Sequence, residues 1–298
     1  MGKFTVQQHE DTYPLFTLTE EATDSAVTIC PERGAIAIRC RLNGQELFYF
    51  DRDTFIKPDE NIRGGNPILF PICGQLTDGR YEWEGVTYKM RNHGVVRNRP
   101  WEVVSASETD AAELTVRFRS NEDTRQEFPF DFELLFTYSL RNGELHLQQT
   151  YRNLSASGMP MYAGFHPYFS TSSKKIVYGT DATRYRDYND HTIKEINGPI
   201  DLNGVKESYI LLDATRPDVT IPGPDGQGTI RITYSEQFKY IVLWQLDERP
   251  FICVEPWMAL PYELNRKEEL PLLEAGQTME AQFSIGYTAV EQDRVNDN

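Results

Sequence analysis

Phe132-Glu133-Leu134-Leu135-Phe136-Thr137-Tyr138-Ser139-Leu140-Arg141-Asn142-Gly143 is the stretch that decides the fold. Phe132, Leu134, Phe136, Tyr138 and Leu140 recur at every second position, the period of a strand with one buried face. Asn142-Gly143 then supplies two residues that tolerate positive φ, as a tight hairpin requires. Leu145 and Leu147 resume the alternation on the far side and turn His146 outward.

The same period recurs elsewhere. Leu114, Val116 and Phe118 alternate with Thr115, Arg117 and Arg119, and Ile230, Ile232 and Tyr234 form another set. So do Met279, Ala281, Phe283, Ile285 and Tyr287. Asn43-Gly44, Asp78-Gly79, Asn203-Gly204 and Asp225-Gly226 mark further turns. Short strands with turns at this spacing predict an all-β antiparallel sandwich or barrel. Helical signals are confined to a turn or two at 19–25 and 267–275. With no Pro/Gly/Ser-rich linker or short-period repeat, residues 1–298 read as one domain with a frayed polar tail at 290–298.

Composition narrows the function. The formal charge of -15, from 30 Lys+Arg against 45 Asp+Glu, opposes binding to nucleic acid or an anionic membrane. It leaves room for an anionic small ligand held by a few local arginines. No apolar run is long enough to span a bilayer, and the first ten residues hold no signal-peptide apolar core. Cys30, Cys40, Cys73 and Cys253 match no zinc or redox spacing and read as small buried apolar residues. Together these features predict a cytoplasmic protein, a monomer or weak homodimer.

Five histidines limit the search for chemistry. His9 and His191 lie in polar stretches and read as solvated or loop residues. His93, in Arg91-Asn92-His93-Gly94-Val95-Val96-Arg97, and His166, in Gly164-Phe165-His166-Pro167-Tyr168-Phe169, stand where apolar strands give way to loops. Loops on a rigid sheet carry sites, although a core histidine bonded to one carbonyl would look the same. Glu255 closes the apolar run Phe251-Ile252-Cys253-Val254 and precedes Pro256-Trp257. Glutamate is seldom buried unless paired; an edge-strand glutamate facing water is the alternative. Pro256 is expected to end that strand. The compact zinc motifs, the nucleophile elbow and the phosphate-binding glycine loops are missing, so neither a metal nor a cofactor is expected. Glu268-Glu269 reads as solvated surface.

Four motifs then fall into order: Arg63-Gly64-Gly65-Asn66-Pro67-Ile68-Leu69-Phe70-Pro71, His93-Gly94-x-x-Arg97, His166-Pro167-Tyr168-Phe169 and Glu255-Pro256-Trp257. Together they resemble the aldose 1-epimerase (mutarotase) family across about Gly34 to Tyr287, nearer its glucose-6-phosphate 1-epimerase branch. The resemblance implies a large β-supersandwich, galactose mutarotase-like, with few short helices. It also implies interconversion of the α and β anomers of a hexose or hexose 6-phosphate. Glu255 would take the proton from the anomeric hydroxyl, His166 would protonate the ring oxygen, and His93 would bind and polarise that oxygen. Hemiacetal opening needs those two proton transfers and no cofactor; this scheme starts with His166 protonated. Asp213 and Trp257 are candidates for holding the sugar, the latter chosen over Trp83, Trp101 and Trp244. Arg63 and Arg97 are candidates for a phosphate, since guanidinium forks match its oxygens. Arg91 could join them only if Arg91-Asn92-His93 is extended, and Met90 stands where a further basic residue would be expected. Two alternatives stay open: a non-catalytic carbohydrate-binding regulator on the same fold, and an enzyme of glycosidic bonds. The latter needs a second carboxylate for which Asp213 is the only candidate.

Overall fold

The deciding hairpin forms as its sequence directs. In the computed structural model, which describes residues 3–290, Phe132–Arg141 pairs with Glu144–Asn153 in antiparallel register, Tyr138 opposite Leu147. Asn142 and Gly143 close the turn at φ 55° and 69°. All five alternating apolar residues from Phe132 to Leu140 are fully buried. Each such side chain contributes roughly 1.5–3 kcal/mol of burial. This hairpin is the centre of a seven-stranded sheet that also holds Glu102–Ser107, Ala112–Arg119, Asp218–Pro222, Thr229–Tyr234 and Thr278–Thr288. Every run that the alternation marked is therefore a strand of one sheet.

Two further sheets cover the inner face of the first. A five-stranded meander runs from Phe4 to Glu46, and its neighbour contacts include the hairpin. The Tyr138 hydroxyl reaches across to donate to the Ala35 carbonyl at 2.6 Å. An eight-stranded sheet supplies the rest, with Phe165 stacked on Phe283 at 4.7 Å and Phe70 against Phe132 at 4.8 Å. Bridges Ala37–Asn66 and Phe48–Phe169 join the two covering sheets along their margin. The result is an all-β antiparallel supersandwich with three short α-helices among the described residues.

The helical expectations need adjusting. Within 19–25 only Glu21–Thr23 coils, as a single 3-10 turn. Segment 267–275 holds no helix; the turn sits just before it, at Glu263–Arg266, and Lys267 ends it in the left-handed conformation. Nor does Pro256 end its strand: Phe251–Trp257 runs through it, buried along its whole length. The expected frayed tail lies outside the described residues except for Val290, which is exposed. All four cysteines are buried and unpaired, and no described helix is long and apolar enough to cross a membrane.

Candidate active site

Phe251–Trp257 has Tyr240–Gln245 on one side, with Val242 opposite Glu255. On the other side it meets an interrupted partner. Gly164 lies opposite Trp257, and Tyr168 lies opposite Cys253. These two registers are in line, so His166 falls opposite Glu255. Directly opposed residues of an antiparallel pair share a face and lie about 5 Å apart. The ladder breaks here because Pro167 and Pro256 each lack an amide hydrogen. The His166 amide points the other way and donates to the Pro67 carbonyl, just before Ile68–Leu69, at 3.1 Å.

The side chains use this opening. His166 Nδ1 and Glu255 Oε1 stand 3.5 Å apart, both residues at least 95% buried. Nδ1 has no hydrogen-bond partner. Glu255 Oε2 accepts the Trp257 indole N–H at 3.1 Å. The His166 ring stacks on Tyr168 at 4.7 Å and meets the edge of Trp244.

His93 approaches from a turn, its ring 5.2 Å from that of His166 and nearly perpendicular to it. Its backbone holds φ 69°, so Arg91-Asn92-His93 is not extended. Arg91 is exposed and does not line the cleft, while Met90 is buried. The Gly74 amide donates to His93 Nδ1 at 3.1 Å. A neutral His93 therefore carries its proton on Nε2 and is a hydrogen-bond donor there.

A cleft of about 230 Å³ opens over these groups. His93, His166, Glu255, Trp257, Arg63 and Arg97 all line it, as do Asn61, Gln75, Asn92, Glu207, Ser208 and Trp244. Arg63 lies over the Trp244 ring at 5.4 Å. Arg97 is buried and bonds only the Ile62 carbonyl, at 3.3 Å, with its Nε unpartnered. Among the described residues neither arginine has a carboxylate within ion-pair distance. Asp213 is not brought here. It accepts from the Thr183 amide and hydroxyl and from the Arg184 amide, as a turn-former does.

Electrostatics follow from this enclosure. Burial, reinforced by Arg97, His93 and Arg63, holds His166 well below the ordinary imidazole range. His93 is held down by burial, Arg97 and Arg63. Burial pushes the Glu255 carboxyl well up, against the pull of Arg97 and the Trp257 N–H. Both directions favour the uncharged forms, imidazole and carboxyl. They run against the expectation that His166 starts protonated, because burial penalises both charges and the flanking guanidiniums add to the penalty on imidazolium.

Donor atoms of His166, Cys253 and Glu255 lie within 4.8 Å of one another, a nitrogen–sulfur–oxygen set of the kind zinc accepts. Burial keeps the Cys253 thiol protonated, and two guanidiniums flank the group, so the surroundings oppose a cation.

Sequence reasoning missed Asn61, Gln75, Asn92, Glu207 and Ser208, and passed over Trp244. Trp244 was findable, since it alternates with Val242 and Tyr240 on a strand next to that of Glu255. Glu207 carried no signal: its loop is positioned by the distant Asn189, whose side-chain oxygen accepts the Lys206 and Glu207 amides.

The chain is 27% identical over 238 residues to protein LacX of Lactococcus lactis, covering 69% of this chain and 77% of LacX. The structure of Slr1438 from Synechocystis superposes with a TM-score of 0.87 at 30% identity, covering 96% of each chain. The galactose mutarotase related enzyme of Lactobacillus acidophilus superposes at 0.74 with 21% identity, covering 96% of this chain and 98% of that one, a likeness of fold. The family model described as aldose 1-epimerase matches residues 14–286, and the chain belongs to that family.

Proposed function

We propose that the protein is an isomerase that interconverts the α and β anomers of a hexose 6-phosphate, with His166 and Glu255 as its acid–base pair. The observation that carries this reading is the pair itself: an imidazole and a carboxyl, opposed across a broken ladder and 3.5 Å apart, at the floor of a cleft. Opening a hemiacetal requires that the anomeric hydroxyl lose a proton and the ring oxygen gain one. The pair holds one proton, which is all the reaction needs. Burial favours its resting on Glu255. One transfer across the gap gives carboxylate and imidazolium, the reactive arrangement. Glu255 then takes the proton of the anomeric hydroxyl while His166 delivers its own to the ring oxygen, and the ring C–O bond breaks to leave the aldehyde. Rotation about C1–C2 presents the other carbonyl face. Reclosure returns the first proton to the anomeric oxygen and the second to His166. His93, a donor at Nε2, supports the ring oxygen, and Trp257 walls the site.

The two unpaired arginines favour the phosphorylated sugar. A buried guanidinium without an anion is costly, and phosphate meets its donors bidentately. An anionic ligand also favours imidazolium at His166, which burial disfavours.

NMR exchange between anomers tests the reading with hexoses and hexose 6-phosphates. The protein is expected to accelerate exchange of the 6-phosphate, and Glu255→Gln to lose about 10²–10⁴ of that rate. Arg63→Gln is expected to raise KM for the 6-phosphate about 10-fold to 100-fold, as losing a charged hydrogen bond does, and to leave the free hexose nearly unchanged. Binding without acceleration would instead indicate a sugar-binding regulator. Equal effects of Arg63→Gln on both sugars would remove the phosphate assignment.

A further inference from the structure

We infer that Trp257 is a positioning residue: its indole N–H fixes the Glu255 carboxylate, and Gly164 and Gly74 form the slot that aims it. This deepens the epimerase reading and rests on it for its kinetic consequence.

The geometry is specific. Trp257 lies two residues from Glu255 on the same strand, so both side chains leave the same face. The indole N–H donates to Glu255 Oε2 at 3.1 Å, which leaves Oε1 facing His166. Each carboxyl oxygen thus has a separate assignment. The indole cannot turn away. Gly164 sits directly opposite on the neighbouring strand, and a Cβ there would stand 2.8 Å from Trp257 Cδ1. A Cβ at Gly74 would stand 2.9 Å from Trp257 Cζ3. One hydrogen-only position thus meets the five-membered ring and another the six-membered ring. Gly74 also donates its amide to His93, whose ring meets the indole edge-on at 5.9 Å. One glycine thus sets both His93 and the tryptophan that sets Glu255.

A wall residue for a sugar needs only its ring face. Here the indole nitrogen is already engaged by the carboxylate, and phenylalanine would keep the face and lose the bond. The groups facing the Glu255 carboxyl are His166, Cys253, Trp257 and Arg97, with Arg63 and His93 across the cleft. Of these, Trp257 is the neutral donor already bonded to it.

The first experiment reads the bond without activity. The protein labelled with ¹⁵N-tryptophan has four indole N–H signals, and Trp257→Phe identifies the relevant one. That signal is expected to move when Glu255→Gln replaces the carboxyl oxygen it donates to, and the other three to stay. The second reads function. Trp257→Phe is expected to lower kcat about 10-fold to 100-fold, the scale of a misplaced reacting group, with KM within about threefold. The alkaline limb of its pH profile is expected to move to higher pH, because the ionised carboxylate has lost a donor. Gly164→Ala, which keeps Trp257 but crowds its Cδ1 together with Cys73 Cβ and the Pro256 carbonyl, is expected to lower kcat likewise. An indole signal indifferent to Glu255→Gln overturns the proposal. So does a Trp257→Phe enzyme with raised KM but unchanged kcat and pH profile, the behaviour of a stacking wall. If the wild-type protein exchanges no anomers, the epimerase reading fails by itself, and the indole signal still decides the bond. If Trp257→Phe does not fold, the signal is identified by elimination from Trp83→Phe, Trp101→Phe and Trp244→Phe, and Glu255→Gln decides the bond.

Discussion

His166 and Glu255 respond to the same burial in opposite directions. The imidazole is held below its ordinary range and the carboxyl above it, so the state with one proton between them spans a wide interval. At the acid end activity is lost when a second proton binds, which the lowered imidazole postpones. At the alkaline end it is lost when the last proton leaves, which the raised carboxyl postpones. After allowance for the phosphate's own ionisation near 6, kcat/KM for the 6-phosphate is expected to run level across pH 6.5, the unperturbed imidazole value. A clear bend there in the measured pH–rate profile would show that His166 titrates as an exposed residue. Both members of the pair were legible because each stood next to proline at the end of an apolar run. Asp213 was legible too, but only as an aspartate at a strand end, and those make turns more often than sites.

Among elements, the hairpin and its neighbours were readable because alternation and turn chemistry are local. The Phe251–Trp257 strand was misread at Pro256 because its partner strand could not be known. A proline can remain within a strand where the neighbouring ladder is itself broken, and Pro167 breaks it at the same place. The joint between sheets was equally hidden. Glu20, buried in the meander, accepts the Asn142 and Gly143 amides at 3.0 and 2.7 Å and the Thr23 hydroxyl at 2.8 Å. Its carboxylate therefore caps the central hairpin of the other sheet. Glu20→Ala leaves the Gly143 amide buried and unpaired, and is expected to cost about 1–3 kcal/mol. Urea titration would show this as a lower midpoint with unchanged slope. No shift in midpoint would mean that water replaces the carboxylate.

Over the whole molecule, one apolar cluster runs from Leu18 and Val27 of the meander through Phe136 and Leu140 to Phe165 and Phe283. No part of the supersandwich has a core of its own size to retreat to. Thermal or urea unfolding is therefore expected as a single transition, coincident by tryptophan fluorescence and far-ultraviolet circular dichroism. Two separated transitions would divide the chain into two units. The overall layering was legible only through the resemblance of four ordered motifs, since alternation names strands but not which sheet they join.

The broken ladder has a consequence for how such a protein can diversify. The acid–base pair is held by the sheet, Glu255 within Phe251–Trp257 and His166 in the gap between Gly164–Phe165 and Tyr168–Ser170. Arg63 and Glu207, by contrast, come from separate loops. Under the proposed function, exchanging those loops would change the sugar accepted and leave the acid–base pair in place.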